Sequence, residues 1–337
     1  PSLEGVLVSI DFNKKEKLPD NKLRDLISHF NRYRLRNSDF SSPDIMGSAY
    51  EYLIKFFADS AGKKGGEFYT PSEVVDLIVR IIKPSQGMRI YDPTCGSGGM
   101  LIQSRNYLMK KEENTRNLSL FGQEDNLSTW AICKLNMFLH FVFNADIRKG
   151  DTISNPQHLK DGELMTFDRV LANPPFSLKK WGKKKADQDT FGRFKYGTPP
   201  KDYGELAFLQ HMISSLNNNG ILGCVMPLGV LFRGSSEKTI RQGLIEDDLI
   251  EAIIGLPPNL FYGTTIPASI IIINKKKPKN RENKIIFINS EFEYEDKTNR
   301  NILSEDNIIK ILNAFERFED ITIPKLQINM IDIFLKS

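Results

Sequence analysis

From Met88 onward the chain alternates short apolar runs with longer helical stretches, and that rhythm admits few architectures. The runs expected as strands are Arg89–Tyr91, Leu118–Gly122, Arg169–Ala172, Ile221–Met226, Leu249–Ile254, Ser269–Asn274 and Lys284–Ile288. Helices are expected near Gly99–Lys110, Ser128–Phe141, Leu206–Leu216 and Ser236–Leu244, with another at Glu305–Phe318 capped by Ser304. Strands joined through helices run side by side in the same direction. The reading is therefore an α/β domain with a mainly parallel sheet flanked by helices.

Residues 1–66 read as an N-terminal helical segment, with helical patches at Asn21–Phe30 and Asp44–Phe57. In the second patch Ile45, Ala49, Leu53, Phe56 and Phe57 recur at three- and four-residue steps. Ala61–Glu67 has the glycines and lysines of a flexible joint. A strong helix signal follows: Thr70 as N-cap, Pro71 at the first helical position and Glu73 completing a Thr-x-x-Glu capping box. The expected division is 1–66, a main domain at 67–290, and a C-terminal extension with one helix at 291–337. Because the chain opens on Pro1 and not on Met, an N-terminal part is expected to be missing.

Composition narrows the class only a little. A length of 337 residues with 40% hydrophobic and 26% charged residues suits a soluble globular protein, and a net charge of +4 does not name a polyanionic partner by itself. Cys95, Cys133 and Cys224 are far apart, and no Cys or His pair has metal-ligand spacing, so neither a disulfide framework nor a metal site is expected. No apolar run approaches the roughly 18 residues of a membrane span. The expected setting is the cytoplasm.

Three strand ends carry chemistry. Arg89–Met100, RIYDPTCGSGGM, reads as a strand stopping at Asp92, followed by a turn in which Thr94, Gly96, Ser97, Gly98 and Gly99 bring backbone N–H groups near a ligand at a helix start. It lacks the Gly-Lys-Ser/Thr of a phosphate-binding loop, and a plain tight connection also fits. The next strand ends in Glu124, placed to accept ribose hydroxyls, with Asp125 as a rival; helix capping is the plainer role for either. Asp151, after Lys149 and Gly150, is a candidate acceptor for an adenine amino group or simply a solvated loop acid. The third strand ends in Asn173-Pro174-Pro175-Phe176. The prolines remove backbone donors and stiffen the chain, so Asn173 and nearby carbonyls can grip an exocyclic NH₂ while Phe176 stacks on its ring.

Asp92-Pro93-Thr94-Cys95-Gly96-Ser97-Gly98-Gly99 followed by Asn173-Pro174-Pro175-Phe176 resembles the S-adenosylmethionine-dependent N6-adenine DNA methyltransferases. Glu67-Phe68-Tyr69-Thr70-Pro71 before the turn matches their gamma-type order. With Gly263-Thr264-Thr265-Ile266-Pro267 added, the similarity is to the modification subunit of type I restriction-modification systems. The resemblance implies a Rossmann-like methyltransferase fold, a catalytic domain at 67–290 and S-adenosyl-L-methionine as cofactor. It places Tyr69, Thr70 and Pro71 against the methionine part, Asp92 and the glycine turn at the amino-acid end, Glu124 on the ribose and Asp151 on the adenine. It gives Cys95 a packing role, because this methyl transfer forms no covalent enzyme intermediate.

Partners implied by the resemblance are double-stranded DNA, a specificity subunit, a second modification subunit and a restriction subunit, with no membrane. Only about 60 residues follow Asn274, so target recognition is expected in trans. Lys179, Lys180, Lys183, Lys184, Lys185 and Arg193, with Trp181 among them, form a basic loop suited to phosphates, although any single lysine fits a solvated loop as well. Phe261 or Tyr262 is a candidate for the second face of a flipped base. Two competing readings are a protein-glutamine methyltransferase, whose Asn-Pro-Pro site usually ends in Tyr, and a non-catalytic DNA-binding or scaffold subunit.

Overall fold

The computed structural model describes residues 3–6, 14–16, 18–34, 36, 39, 44–60, 68–298, 300–319, 322–323 and 326–330. The expected joint at Ala61–Glu67 lies outside them, and so does Glu67 of the motif that precedes the turn.

Helices α1 (Asp20–Phe30) and α2 (Ile45–Ser60) precede the sheet. Helix α3 (Ser72–Ile82) buries Val74, Val75, Leu77, Ile78, Val79, Ile81 and Ile82. It begins one residue later than Thr70 as cap requires: Pro71 holds the N-cap position and no side chain caps the helix. The capping box is thus corrected by longer-range partners. Thr70 Oγ1 accepts a hydrogen bond from Asn173 Nδ2 (3.1 Å), and Glu73 pairs with Arg300 (2.5 Å).

There follow β1 (Arg89–Asp92), α4 (Gly99–Lys110), β2 (Ser119–Glu124), α5 (Leu127–Leu139) and β3 (Asp146–Lys149). A small hairpin, β4 (Leu159–Lys160) and β5 (Glu163–Leu164), leads to β6 (Phe167–Ala172) and the short α6 (Lys183–Ala186). The rest comprises α7 (Glu205–Ser214), β7 (Leu216–Pro227), α8 (Ser236–Glu246), β8 (Ile250–Gly255), β9 (Ala268–Asn274), β10 (Ile286–Asn289), α9 (Glu305–Arg317), β11 (Thr322–Ile323) and β12 (Leu326–Met330).

Ten of the described strands form one sheet in the order β11-β12-β10-β8-β9-β7-β6-β1-β2-β3, and β4 and β5 pair apart from it. Strands β3, β2, β1, β6 and β7 are mutually parallel, as are β8 and β10. Strand β9 runs against β7 and β8, and β12 against β10. Every strand expected from the sequence is present; β7 starts earlier, at Leu216, and β3, β4, β5, β11 and β12 are not among those expected. Alternation in β6 shows how the layers form: Leu171 joins the core under α3, α4 and α9, while Val170 and Ala172 join the opposite one under α7 and α8. Gly223 admits α3 close to β7, since a Cβ there would fall 2.6 Å from Ile78 Cγ2. Among the described residues no helix is long and apolar enough to cross a membrane.

The consequence for function is topological. From β1 the chain moves outward to β2 and β3, then returns to β6 on the other side of β1. A crevice opens at the carboxyl ends of β1 and β6, the usual ligand position in an open α/β sheet.

Candidate active site

Strand β1 delivers Asp92 to that crevice with only 2% of its surface exposed. The carboxylate accepts from Thr94 N (3.0 Å), yet burial dominates and, helped by the nearby Glu124 charge, pushes its pKa up to about 8. The glycine turn is tied on two sides. Ser97 N donates to the Phe68 carbonyl (3.1 Å), and Gly96 N donates to Glu124 Oε2 (3.1 Å). Gly96 has φ +52, and a Cβ on it would lie 2.8 Å from the Phe68 oxygen, so glycine is needed for both conformation and space.

Strand β6 runs beside β1, with Val170 opposite Tyr91, and ends at Ala172, directly before Asn173. Asn173 donates through Nδ2 to Thr70, while its Oδ1 is buried and accepts no hydrogen bond. Thr94 Oγ1 is likewise buried without a partner. Buried polar atoms are seldom left unpaired, so both atoms are open to a hydrogen bond from a further group. Both residues line one open cleft, together with Phe68–Thr70, Asp92, Cys95–Ser97 and Gly99.

Of the residues singled out in the sequence, Tyr69, Thr70, Asp92, Thr94, Gly96, Ser97, Gly99 and Asn173 therefore meet around one cleft. Gly98 (φ +85) turns the backbone beneath it, over Met137 and Cys133. Glu124 is not among the cleft-lining residues; its Oε2 holds Gly96 N and its Oε1 accepts from Asn126 N (2.8 Å). Neither Glu124 nor Asp125 caps α5; Asn126 does, accepting from Ser128 N and Thr129 N. Asp151 accepts from Ile153 N (2.8 Å) and Ser154 N (3.0 Å) and is not among the cleft-lining residues. Phe176 meets Phe261 edge-on at 6.1 Å, and Tyr262 meets Tyr69 edge-on at 5.5 Å; Phe261 and Tyr262 are both buried, so neither presents an open face. Cys95 is buried 3.8 Å from Cys133 Sγ, and that thiol and burial hold its own pKa well above the ordinary value, which suits packing and not nucleophilic attack.

The basic loop needs a correction. Lys179, Lys180, Lys184 and Lys185 are exposed, but Lys183 is half-buried and paired with Asp187 (2.9 Å). Arg193 is 4% exposed, pairs with the buried Asp189 (2.7 Å) and donates to the carbonyls of Thr152 (3.1 Å) and Ile153 (2.8 Å). Its donors are occupied inside the protein, so it braces the loop and offers nothing to a phosphate. Trp181 is buried too, donating to the Pro200 carbonyl, and anchors the loop through a small core with Ile153, Ala186, Ala207 and Phe208.

Sequence reasoning passed over three contributors. Phe68 supplies a carbonyl, Met100 lines the cleft, and the fully buried Gln123 staples the Asp151 loop by donating to the Gly150 (2.9 Å) and Asn155 (3.0 Å) carbonyls. Phe68 and Met100 lie inside the motif segments at 67–71 and 89–100, and Gln123 stands out as an uncharged polar residue in its strand.

Fold and cleft together define a class, and comparison with known proteins agrees: the N-6 DNA methylase family model matches residues 41–332, and the chain belongs to that family. It is 38% identical over 310 residues to the methylase subunit of the type I restriction enzyme MjaVII of Methanocaldococcus jannaschii, covering 89% of this chain and 52% of that one. It is 34% identical over 297 residues to the HindI methylase subunit of Haemophilus influenzae, covering 86% of this chain and 64% of that one. A solved type I restriction-modification methyltransferase subunit from Streptococcus thermophilus superposes with TM-score 0.83 at 33% identity, covering 96% of this chain and 68% of that one. The chain spans about half the length of the Methanocaldococcus relative.

Proposed function

We propose that this chain is the catalytic portion of a type I modification subunit, transferring the methyl group of S-adenosylmethionine to N6 of an adenine in double-stranded DNA. The observation that carries the reading is the buried, unpaired Oδ1 of Asn173, just after β6, in a cleft also lined by the buried Asp92 carboxylate. The names of the relatives, type I restriction enzyme methylase subunits, support the same assignment.

The residues present fit the cofactor. Asp92 is a buried carboxylate that an ammonium group beside it would hold ionised, Gly96 leaves space that a Cβ would fill, and Thr94 Oγ1 is free to take a polar atom. Tyr69, Thr70 and Pro71 would lie against the methionine part, Ser97, Gly98 and Gly99 would shape the amino-acid end, Glu124 would take the ribose with its remaining lone pairs, and Asp151 the adenine. When bound, S-adenosylmethionine supplies a methyl group already activated by its sulfonium.

The chain's own work is to align and activate the acceptor. Asn173 Oδ1 and the Pro174 carbonyl accept the two N6 hydrogens, draw the nitrogen lone pair out of ring conjugation and stabilise the positive charge that develops on it. One N6 proton then passes to water. Pro175 stiffens the turn and Phe176 stacks on the ring, which must leave the duplex to reach it. Exposed Lys179, Lys180, Lys184 and Lys185 would meet phosphates near the flipped nucleotide. Site choice would come from a specificity subunit, with a second modification subunit and a restriction subunit completing a cytoplasmic complex. Labelled-methyl transfer to DNA should therefore require the cognate specificity subunit; site-specific transfer by the isolated chain would overturn the type I assignment.

Asp92 makes cofactor binding pH-dependent. In the free protein burial pushes its carboxyl up to about 8, and a neighbouring ammonium lowers that value, so binding near neutrality should expel a proton. Affinity should rise with pH, by up to about tenfold per unit, until it levels off near the free-state pKa. Calorimetry in buffers of different ionisation heat should count close to one proton released at pH 7, and Asp92→Asn should release none.

A further inference from the structure

The Asn-Pro-Pro-Phe turn has a support that its own motif does not contain. Glu205, the first residue of α7, is 0% exposed, and its Oε1 accepts from Ser177 N at 2.9 Å. Ser177 follows Phe176 directly and sits at φ +53, a conformation that a residue with a Cβ adopts only when its surroundings hold it there. The carboxylate thus fixes the backbone at the point where the turn leaves the site.

Burying a carboxylate is costly unless something compensates. Here the compensation is local. The N-terminus of α7 favours negative charge, and Arg233 Nη2 stands 3.6 Å from Glu205 Oε2. Arg233 is itself held by a two-point fork with the buried Glu237, at 2.6 and 3.0 Å, and lies 4.2 Å over the Tyr203 ring. Gly204 brings the start of α7 against Trp181, since a Cβ there would fall 2.7 Å from Trp181 Cβ. The helix, the basic loop and the turn are therefore clamped at one place.

We infer that Glu205 is a positioning residue for the methyl-transfer reaction: its Oε1 locks Ser177 and so holds Asn173–Phe176 in the geometry that grips the acceptor amino group. The inference rests on the Asn173 reading above. It concerns the chemical step and not cofactor binding, because Glu205 is not among the cleft-lining residues.

The test compares Glu205→Met, which fills the same space without an acceptor, with Glu205→Gln, which keeps a carbonyl toward Ser177. In the assembled complex, Glu205→Met should lower kcat about 10²-fold with the KM for S-adenosylmethionine unchanged, and Glu205→Gln should restore most of it. Hydrogen exchange read by mass spectrometry should show the Ser177 amide deprotected in the Met variant and protected in the Gln variant. Wild-type kcat in Glu205→Met, or a Ser177 amide as protected there as in wild type, overturns the inference. If Glu205→Met does not fold, the Gln variant decides: a deprotected Ser177 amide in it overturns the inference, and protection with activity upholds it. Asn173→Ala, run alongside, separates the two readings. Activity in that variant removes the Asn173 mechanism, whereas an inactive Asn173→Ala beside a fully active Glu205→Met removes only the role of Glu205.

Discussion

Asn173→Ala is expected to lower the methyl-transfer rate by about 10²- to 10³-fold, the scale seen when one preorganised charge-stabilising group is deleted from an active site. The expectation follows from what Asn173 touches. Its Nδ2 is occupied by Thr70, and its Oδ1 is buried without a donor, so the free atom has work only when an acceptor group arrives. The groups placed to hold the cofactor, Asp92, Gly96 and Thr94, are left in place by the change. Cofactor affinity measured by calorimetry should therefore stay within a few-fold of wild type while kcat collapses. A matching loss of cofactor binding would instead assign Asn173 to the cofactor pocket.

Gly96→Ala has the opposite signature. A Cβ at 2.8 Å from the Phe68 oxygen meets backbone, which cannot rotate away, and moving that backbone breaks the Ser97 N bond to the same carbonyl. The positive φ adds its own penalty, of order 1–3 kcal/mol. Because the strain falls on the cofactor cleft, affinity for S-adenosylmethionine should drop at least about tenfold, each ~1.4 kcal/mol lost being a factor of ten. Gly99→Ala is the control for folding alone, since nothing in the protein lies within 4 Å of a Cβ there, although Gly99 lines the same cleft. Thermal unfolding should place Gly99→Ala close to wild type and Gly96→Ala several degrees below it.

Much of this site was legible in the sequence because its chemistry is written in short local segments at strand ends. Asp92 and the glycines follow one apolar strand, Asn173-Pro174-Pro175-Phe176 follows another, and the topology sets the two side by side. What misled was local pattern with long-range partners. Thr70 to Glu73 has the spacing of a capping box, but Thr70 is claimed by Asn173, 103 residues away, and Glu73 by Arg300, 227 residues away. Arg193 follows a run of lysines and so resembles a surface charge, yet Asp189 four residues before it supplies a buried counter-charge. Strand β3 was missed because Asp146, Arg148 and Lys149 leave Ile147 as its single apolar residue, which is enough for an edge strand covered on one face. Glu205 stands just before the expected helix at Leu206–Leu216 and belongs to no motif, and only the return of α7 beside the turn gives it a partner.

The most direct test of the central claim is the identity of the methylated product. The chain, assembled with its cognate specificity subunit, is incubated with duplex DNA and S-adenosylmethionine carrying a labelled methyl group, and the digested nucleosides are separated and weighed by mass spectrometry. The label is expected in N6-methyladenosine of the deoxy series, at one defined site, and absent when Asn173 is alanine. Label on cytosine, on protein glutamine or on no acceptor at all would contradict the account.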